Sequence, residues 1–360
     1  MTRRKRDVKI TADGSIIDAE GKVLFFSLKR FRRDIVDGDC CFLCGVSPKS
    51  AEFNDEHVVP DWILKELGLH NKLVGLPNSH GFLYSKYKVP CCVACNSRLG
   101  ESLEAPISRL FKRGYQAVCQ HALKDGPWLF YVWLALIFLK THLKDRTLRF
   151  HIDKRKGADR IADLYDWNTM HHIHCVVRAA YTGAALDRKI MGSFFLLNAK
   201  MAKHIEAFDY VDLFFTKTIC LRFNDIVIYC VLDDACATYT LMKKGPLSKI
   251  AGPLSPVQIR EVLARIAYTR SLVANGPKFF TTVKDASLKI SAKIPKFVET
   301  EEGDPNRYAA ILNRACGEFL ERSDFENKEF VLQNVRQGRW TFLFDENGRF
   351  LTDSFDEIAK

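Results

Sequence analysis

A chain of 360 residues, 47% apolar and 27% charged, is long enough for two domains and apolar enough to bury a substantial core. Its twelve cysteines do not form a disulfide framework, because no n-region and apolar h-region mark a secretory signal, and the expected compartment is the reducing cytoplasm. The formal net charge of +11 points to a polyanionic partner. The positive charge is clustered, in Arg3, Arg4, Lys5 and Arg6 and again in Lys29, Arg30, Arg32 and Arg33.

In chain order, residues 8 to 27 alternate apolar and polar positions around Asp13-Gly14 and Glu20-Gly21, which predicts short strands joined by tight turns. Phe25 to Val36 mixes apolar with basic residues and predicts an amphipathic helix, followed by a turn at Asp37-Gly38-Asp39. Beyond Pro60, Asp61 to Leu67 has a helical pattern stopped by Gly68. Asn71 to Tyr87, rich in Gly, Asn, Ser and Tyr, predicts a loop or loose hairpin. From Asn96 the spacing of Leu99, Leu103, Ile107, Leu110 and Phe111 is helical.

Pro127 to Lys144 predicts another helix. Its most hydrophobic run, Trp128 to Leu139, is too short to span a bilayer, so a buried core helix and no membrane partner are expected. His172 to Val177 and Ser193 to Leu197 read as strands. Tyr210 to Phe215, Thr218 to Phe223 and Ile226 to Leu232 form a compact β region turning at Asn224-Asp225. Ser255 as N-cap and Pro256 at the first position start a helix to about Leu272. A last hairpin pairs Trp340 to Phe344 with Arg349 to Leu351 across Asn347-Gly348. One boundary near residue 122 separates residues 1–122 from a mixed α+β region, 123–360, expected to recognise substrate or partner.

The chemistry concentrates between Cys41 and Asn96. Cys41 and Cys44 form one CxxC pair and Cys92 and Cys95 another, and two such knuckles supply the four thiolates that structural zinc takes in a tetrahedron. Two unrelated buried pairs, or a redox dithiol, are the bland alternatives. Cys40 and Cys91 each precede a pair and can stand in as ligands. The remaining cysteines (Cys119, Cys175, Cys220, Cys230, Cys236 and Cys316) sit singly, as buried thiols do. His171, His172 and His174 lack acidic or Cys ligands at useful spacing and read as structural. His80 and Lys86 lie in the loop between the knuckles, where solvated side chains are the rule.

Cys41-x-x-Cys44-Gly45, Glu56-His57-Val58-Val59-Pro60 and Cys92-x-x-Cys95-Asn96-x-x-x-Gly100 together resemble an HNH endonuclease, over about residues 40 to 105. With Trp62 and Val89-Pro90-Cys91-Cys92 added, the pattern is similar to bacterial HNH proteins, some linked to phage defence. The resemblance implies an α+β fold, with a small zinc-stapled ββα-metal domain followed by a larger mixed region. It implies a DNase in anti-phage defence or a mobile element, with RNA left open as a partner. His57 would be the general base. Glu56 and Asn96, with Glu104 further along the helix, would hold Mg²⁺ or Mn²⁺, and Zn²⁺ would be structural. The products implied carry 5′-phosphate and 3′-hydroxyl ends. Arg30, Arg32, Arg33 and Lys86 are the expected DNA contacts, and a regulatory protein partner or a homo-oligomer would restrain the activity.

Two departures stand out. Tyr87 falls near the place of the motif's middle Asn, so either Tyr87 or a residue such as Asn78 orients His57 or His57 is held differently, and the last position, often His, is Asn96. The rival reading is a non-catalytic zinc module that binds nucleic acid, or an adaptor whose C-terminal region binds protein. An acidic-His pair followed by a helix-start Asn has no use in either, which favours the enzyme.

Overall fold

A computed structural model describes residues 8–284 and 287–352, so the basic cluster Arg3 to Arg6 lies outside the described residues. The fold is α+β, with helices beside several small, mainly antiparallel sheets. The chain forms two compact units, each gathered from separated segments. The first draws on Met1–Arg109, Val132–Ile190 and Phe279–Ala292. The second draws on Leu110–Tyr131, Met191–Lys278 and Lys293–Lys360.

In the first unit, β1 (Val8–Ile10), β2 (Ile16–Asp18) and β3 (Val23–Phe25) form the expected antiparallel meander. The next helix starts later than the apolar pattern suggests. The Ser27 side chain accepts the Arg30 N–H and caps α1 (Leu28–Arg30), which runs into a wider π-helical stretch, Phe31–Val36. β4 (Glu56–His57) leads through Pro60 into α2 (Asp61–Glu66). The predicted loose hairpin is a short one, β5 (Leu73–Gly75) against β6 (Gly81–Leu83). β7 (Lys88–Val89) returns antiparallel to β4, with His57 opposite Lys88 and Glu56 opposite Val89. Cys92 then N-caps α3 (Val93–Leu99), a start three residues earlier than the leucine spacing shows.

The helix Trp128–Asp145 confirms the buried core reading, since Phe130 to Lys140 is buried almost without break. No single helix among the described residues is long and apolar enough to cross a membrane. One expected strand is a helix. His172 to Val177 lies inside the helix His171–Thr182, closed by Gly183 with φ +72° in the left-handed region. A short apolar run does not separate strand from helix by periodicity. Here Ile173, Val176 and Val177 are buried at helical spacing. Beyond it, β8 (Ala185–Leu186) pairs in parallel with the strand Ser287–Lys293.

The second unit follows its sequence pattern closely. β9 (Phe194–Asn198), β10 (Phe208–Leu213), β11 (Thr218–Phe223) and β12 (Ile226–Val231) form one antiparallel sheet in the order β10-β11-β12-β9. Asn224, with φ +52°, makes the tight β11–β12 turn. The helix Pro256–Ser271 opens on the Ser255–Gln258 capping box and packs on this sheet. It also packs on the helices Pro305–Arg322 and Lys328–Arg336. The closing hairpin is reduced to one bridge between Phe344 and Phe350.

Candidate metal centre

The four predicted thiols converge. Sγ atoms of Cys41, Cys44, Cys92 and Cys95 all lie within 4.8 Å of one another. In the first knuckle the Gly45 N–H donates to the Cys41 carbonyl (2.8 Å) and the Val46 N–H to Cys44 Sγ (3.5 Å). Gly45 is needed there. Its φ is +80°, and a Cβ would stand 2.4 Å from the Phe26 ring. In the second knuckle the Cys95 and Asn96 N–H groups both donate to the Cys92 carbonyl (3.0 Å each). Cys91 Sγ sits 3.9 Å from Cys41 Sγ as a fifth thiol at the edge, while Cys40 stays outside the group.

Thiolates this close repel one another strongly without a cation. Hydrogen bonds from Cys44, Cys91 and Cys95 drive Cys41 far below the ordinary thiol range. Hydrogen bonding to Cys41 in turn pushes Cys44 up to about 12, and Cys91 and Cys95 higher still. A divalent ion removes that conflict by taking several thiolates at once, so the group can hold a structural metal such as zinc. The helix His171–Thr182 braces the first knuckle through its carbonyls. His174 Nε2 bonds the Phe42 oxygen (2.9 Å) and Arg178 Nε donates to the Leu43 oxygen (2.6 Å). Arg178 also donates to Val23 and Leu24. His171 Nε2 bonds the Phe26 carbonyl, and His172 stacks flat on Phe279 (3.4 Å). The histidine cluster is therefore spent on structure.

Between the knuckles, β4, β7 and α3 run in the order strand, strand, helix. The Phe53–Cys92 bridge and the Val58 N–H bond to the Tyr87 carbonyl (2.9 Å) extend the pairing on either side. Successive strand residues face opposite ways. Glu56 turns inward, where the buried Lys140 donates to its Oε1 (2.6 Å) and to the His57 carbonyl (2.7 Å). Glu104 shares the same ammonium at 3.6 Å. Burial works to lower the Lys140 pKa, but Glu56 and Glu104 outweigh it and hold it above the ordinary lysine value. One ammonium does not balance two buried carboxylates. Burial, together with the Glu56 charge, lifts the Glu104 carboxyl to about 7.

His57 turns to a different set of neighbours. Its Nδ1 is 3.9 Å from Asp61 Oδ1, and the same oxygen lies 2.9 Å from His70 Nε2. Lys65 takes the other Asp61 oxygen at 2.6 Å. Burial, reinforced by the Lys88 charge, lowers the His57 pKa, so its imidazole is neutral at neutral pH. Burial acts to raise the Asp61 carboxyl, but the Lys65 and His70 hydrogen bonds prevail and keep it below its ordinary value.

The other sequence candidates are dispersed. Asn96 donates to Asn54 Oδ1 (3.0 Å) at the start of α3. Tyr87 is buried beside Phe82, and Asn78 spends its amide on the Arg149 and Phe150 carbonyls. Arg30 and Arg33 both pair with Asp34, leaving Arg32 half-buried and Lys86 exposed. The residues that sequence reasoning passed over are Asp61, His70 and Lys140. Asp61 had a usable signal, a carboxylate at the first helical position directly after Pro60 and four residues past His57. Lys140, charged within an apolar helix, had another.

Comparison of the chain with protein-family models, with curated proteins and with solved structures returns no match. The HNH resemblance of residues 40 to 105 therefore rests on its sequence motifs alone.

Proposed function

We propose that the first unit is an HNH-type endonuclease that hydrolyses phosphodiester bonds in DNA, in the cytoplasm. The observation that supports this best is His57, neutral and half-buried, on the first strand of a β4-β7-α3 unit pinned by four convergent thiols. Water is activated at His57, whose imidazole is ready to accept a proton. Lys65 and Lys88 place positive charge around it for the phosphate. A divalent ion such as Mg²⁺ or Mn²⁺, when bound, would stabilise the crowded phosphorus and the leaving oxygen. Glu56 can join such an ion only by releasing Lys140. An anti-phage role and restraint by a partner belong to the same proposal and rest on the resemblance alone.

The test is cleavage of supercoiled plasmid by the full chain with Mg²⁺ or Mn²⁺, with an RNA substrate alongside. His57→Ala should abolish cutting and leave the zinc held by the four thiols and the circular dichroism unchanged. Clean wild-type protein that binds DNA without cutting it under any metal would replace this reading with the non-catalytic zinc module.

A further inference from the structure

We propose that His57, Asp61 and His70 form a second metal site, separate from the four thiols, that takes a borderline divalent ion such as zinc or cobalt and leaves part of its coordination open. Their ligand atoms already lie within 4.8 Å of one another, with Asp61 Oδ1 between the two imidazoles at 2.9 and 3.9 Å. Metal–ligand bonds of about 2.0–2.2 Å set neighbouring ligand atoms roughly 3 to 3.5 Å apart, within the spread observed. Only small side-chain adjustments separate the present arrangement from a coordinated one.

The donor chemistry narrows the ion. Two imidazoles and one carboxylate suit zinc, cobalt and their neighbours, whereas magnesium seeks an all-oxygen shell. The backbone supplies the rigidity. β4 is fixed by its pairing with β7 and by Lys140 on the His57 carbonyl. Asp61 opens α2 directly after Pro60, and Lys65 ties down its Oδ2, leaving Oδ1 turned towards both rings. His70 follows the end of α2, where the Leu69 N–H bonds back to the Leu64 carbonyl (2.8 Å).

Exposure separates this site from the cysteine cluster. The side chains of His57, Asp61 and His70 are 17%, 36% and 35% exposed, open to an ion and its water, while three of the four thiols are buried. Closed four-ligand sites are structural, and three-ligand sites with an open position are catalytic. Water bound at such a position loses its proton near neutral pH. The resulting hydroxide would form the new O–P bond as the bond to the 3′-oxygen breaks, and that oxygen would take up a proton. Lys65 and Lys88, unfavourable neighbours for a bare cation, suit a phosphate arriving on it.

The proposal rests on the hydrolytic reading and changes one role within it, since His57 then holds the ion that activates water in place of taking the proton itself, but metal uptake is measured without DNA and stands or falls separately. Full-length protein carrying one zinc per chain is titrated with Co²⁺ by calorimetry, with visible absorption recorded in parallel. One further Co²⁺ per chain is expected. His70→Ala and Asp61→Asn should each weaken it by more than roughly 100-fold, with zinc content and circular dichroism unchanged. His80→Ala serves as the control and should bind as wild type does. Zinc-loaded wild type that takes up no cobalt overturns the proposal, as does undiminished uptake in His70→Ala. Cobalt uptake without plasmid cleavage would sink the nuclease reading and leave the metal site standing.

Discussion

The two units are held together by different physics. In the second, β11 and β12 are six residues long and buried throughout, and Ile259, Val262, Leu263 and Ile266 of the overlying helix complete an apolar core. Stability there is spread over many interchangeable contacts. In the first, β4 and β7 are two residues each and β5 and β6 three. Such ladders carry too few hydrogen bonds to stand alone. The buried Val58, Val59, Ile63 and Leu64 and the helix Trp128–Asp145 pack around them, and buried polar groups add ties that reach across long stretches of chain. Lys140 bonds Glu56 and His57, and Arg178 bonds Val23, Leu24 and Leu43. A buried polar network stabilises when complete and destabilises when partly broken. The candidate site therefore rests on a few irreplaceable ties, and the second unit on redundancy.

Removing the thiol cluster should break that comparison open most widely. Cys41→Ser, or chelation of the bound metal, should unfold the first unit, because the binding energy of a structural zinc is folding energy of about 10 kcal/mol or more. Amide hydrogen exchange should show β4, β7 and α3 losing protection while β11 and β12 keep theirs. Equal loss in both units would mean that their stabilities are not separable. Next in size is Lys140→Met. It fits the apolar surroundings but leaves Glu56 and Glu104 without their cation, which should cost roughly 3–5 kcal/mol. Urea denaturation followed by exchange at β4 would measure it, and a loss below about 1 kcal/mol would show that the ammonium is not the tie.

How much of this could be read from the chain follows the same division. The second unit's strands, the Asn224 turn and the Ser255–Gln258 cap are local patterns, and local patterns survive translation into sequence. So did the paired cysteines, whose two-residue gap suits one shared ion. The His171–Thr182 helix was misread because a six-residue apolar run fits either period. The Glu56–Lys140 pair spans 84 residues and leaves no periodic trace, so motif spacing marked Glu56 and gave no sign of the ammonium beside it. His70 was missed for a similar reason. Its link to His57 runs through Asp61 at the head of a short helix, and only folding brings the three together.

The smallest predicted effect sharpens the account of Lys140. Burial and the Glu56 charge raise Glu104 from the ordinary carboxyl value of 4.5 to about 7. A folded pKa above the unfolded one means that the protonated carboxyl is favoured in the native state. Its contribution is fully present below the unfolded value and is lost as pH rises through the folded one. Wild-type protein should therefore lose about 2 kcal/mol from this group between about pH 5 and pH 7.5. Glu104→Gln keeps the shape and carries no proton to lose, and it leaves one carboxylate facing one ammonium. Its stability should stay flat over that range where the wild type declines, and urea midpoints at four or five pH values would show the divergence. Parallel curves would place the titration elsewhere and would mean that Lys140 neutralises both carboxylates after all.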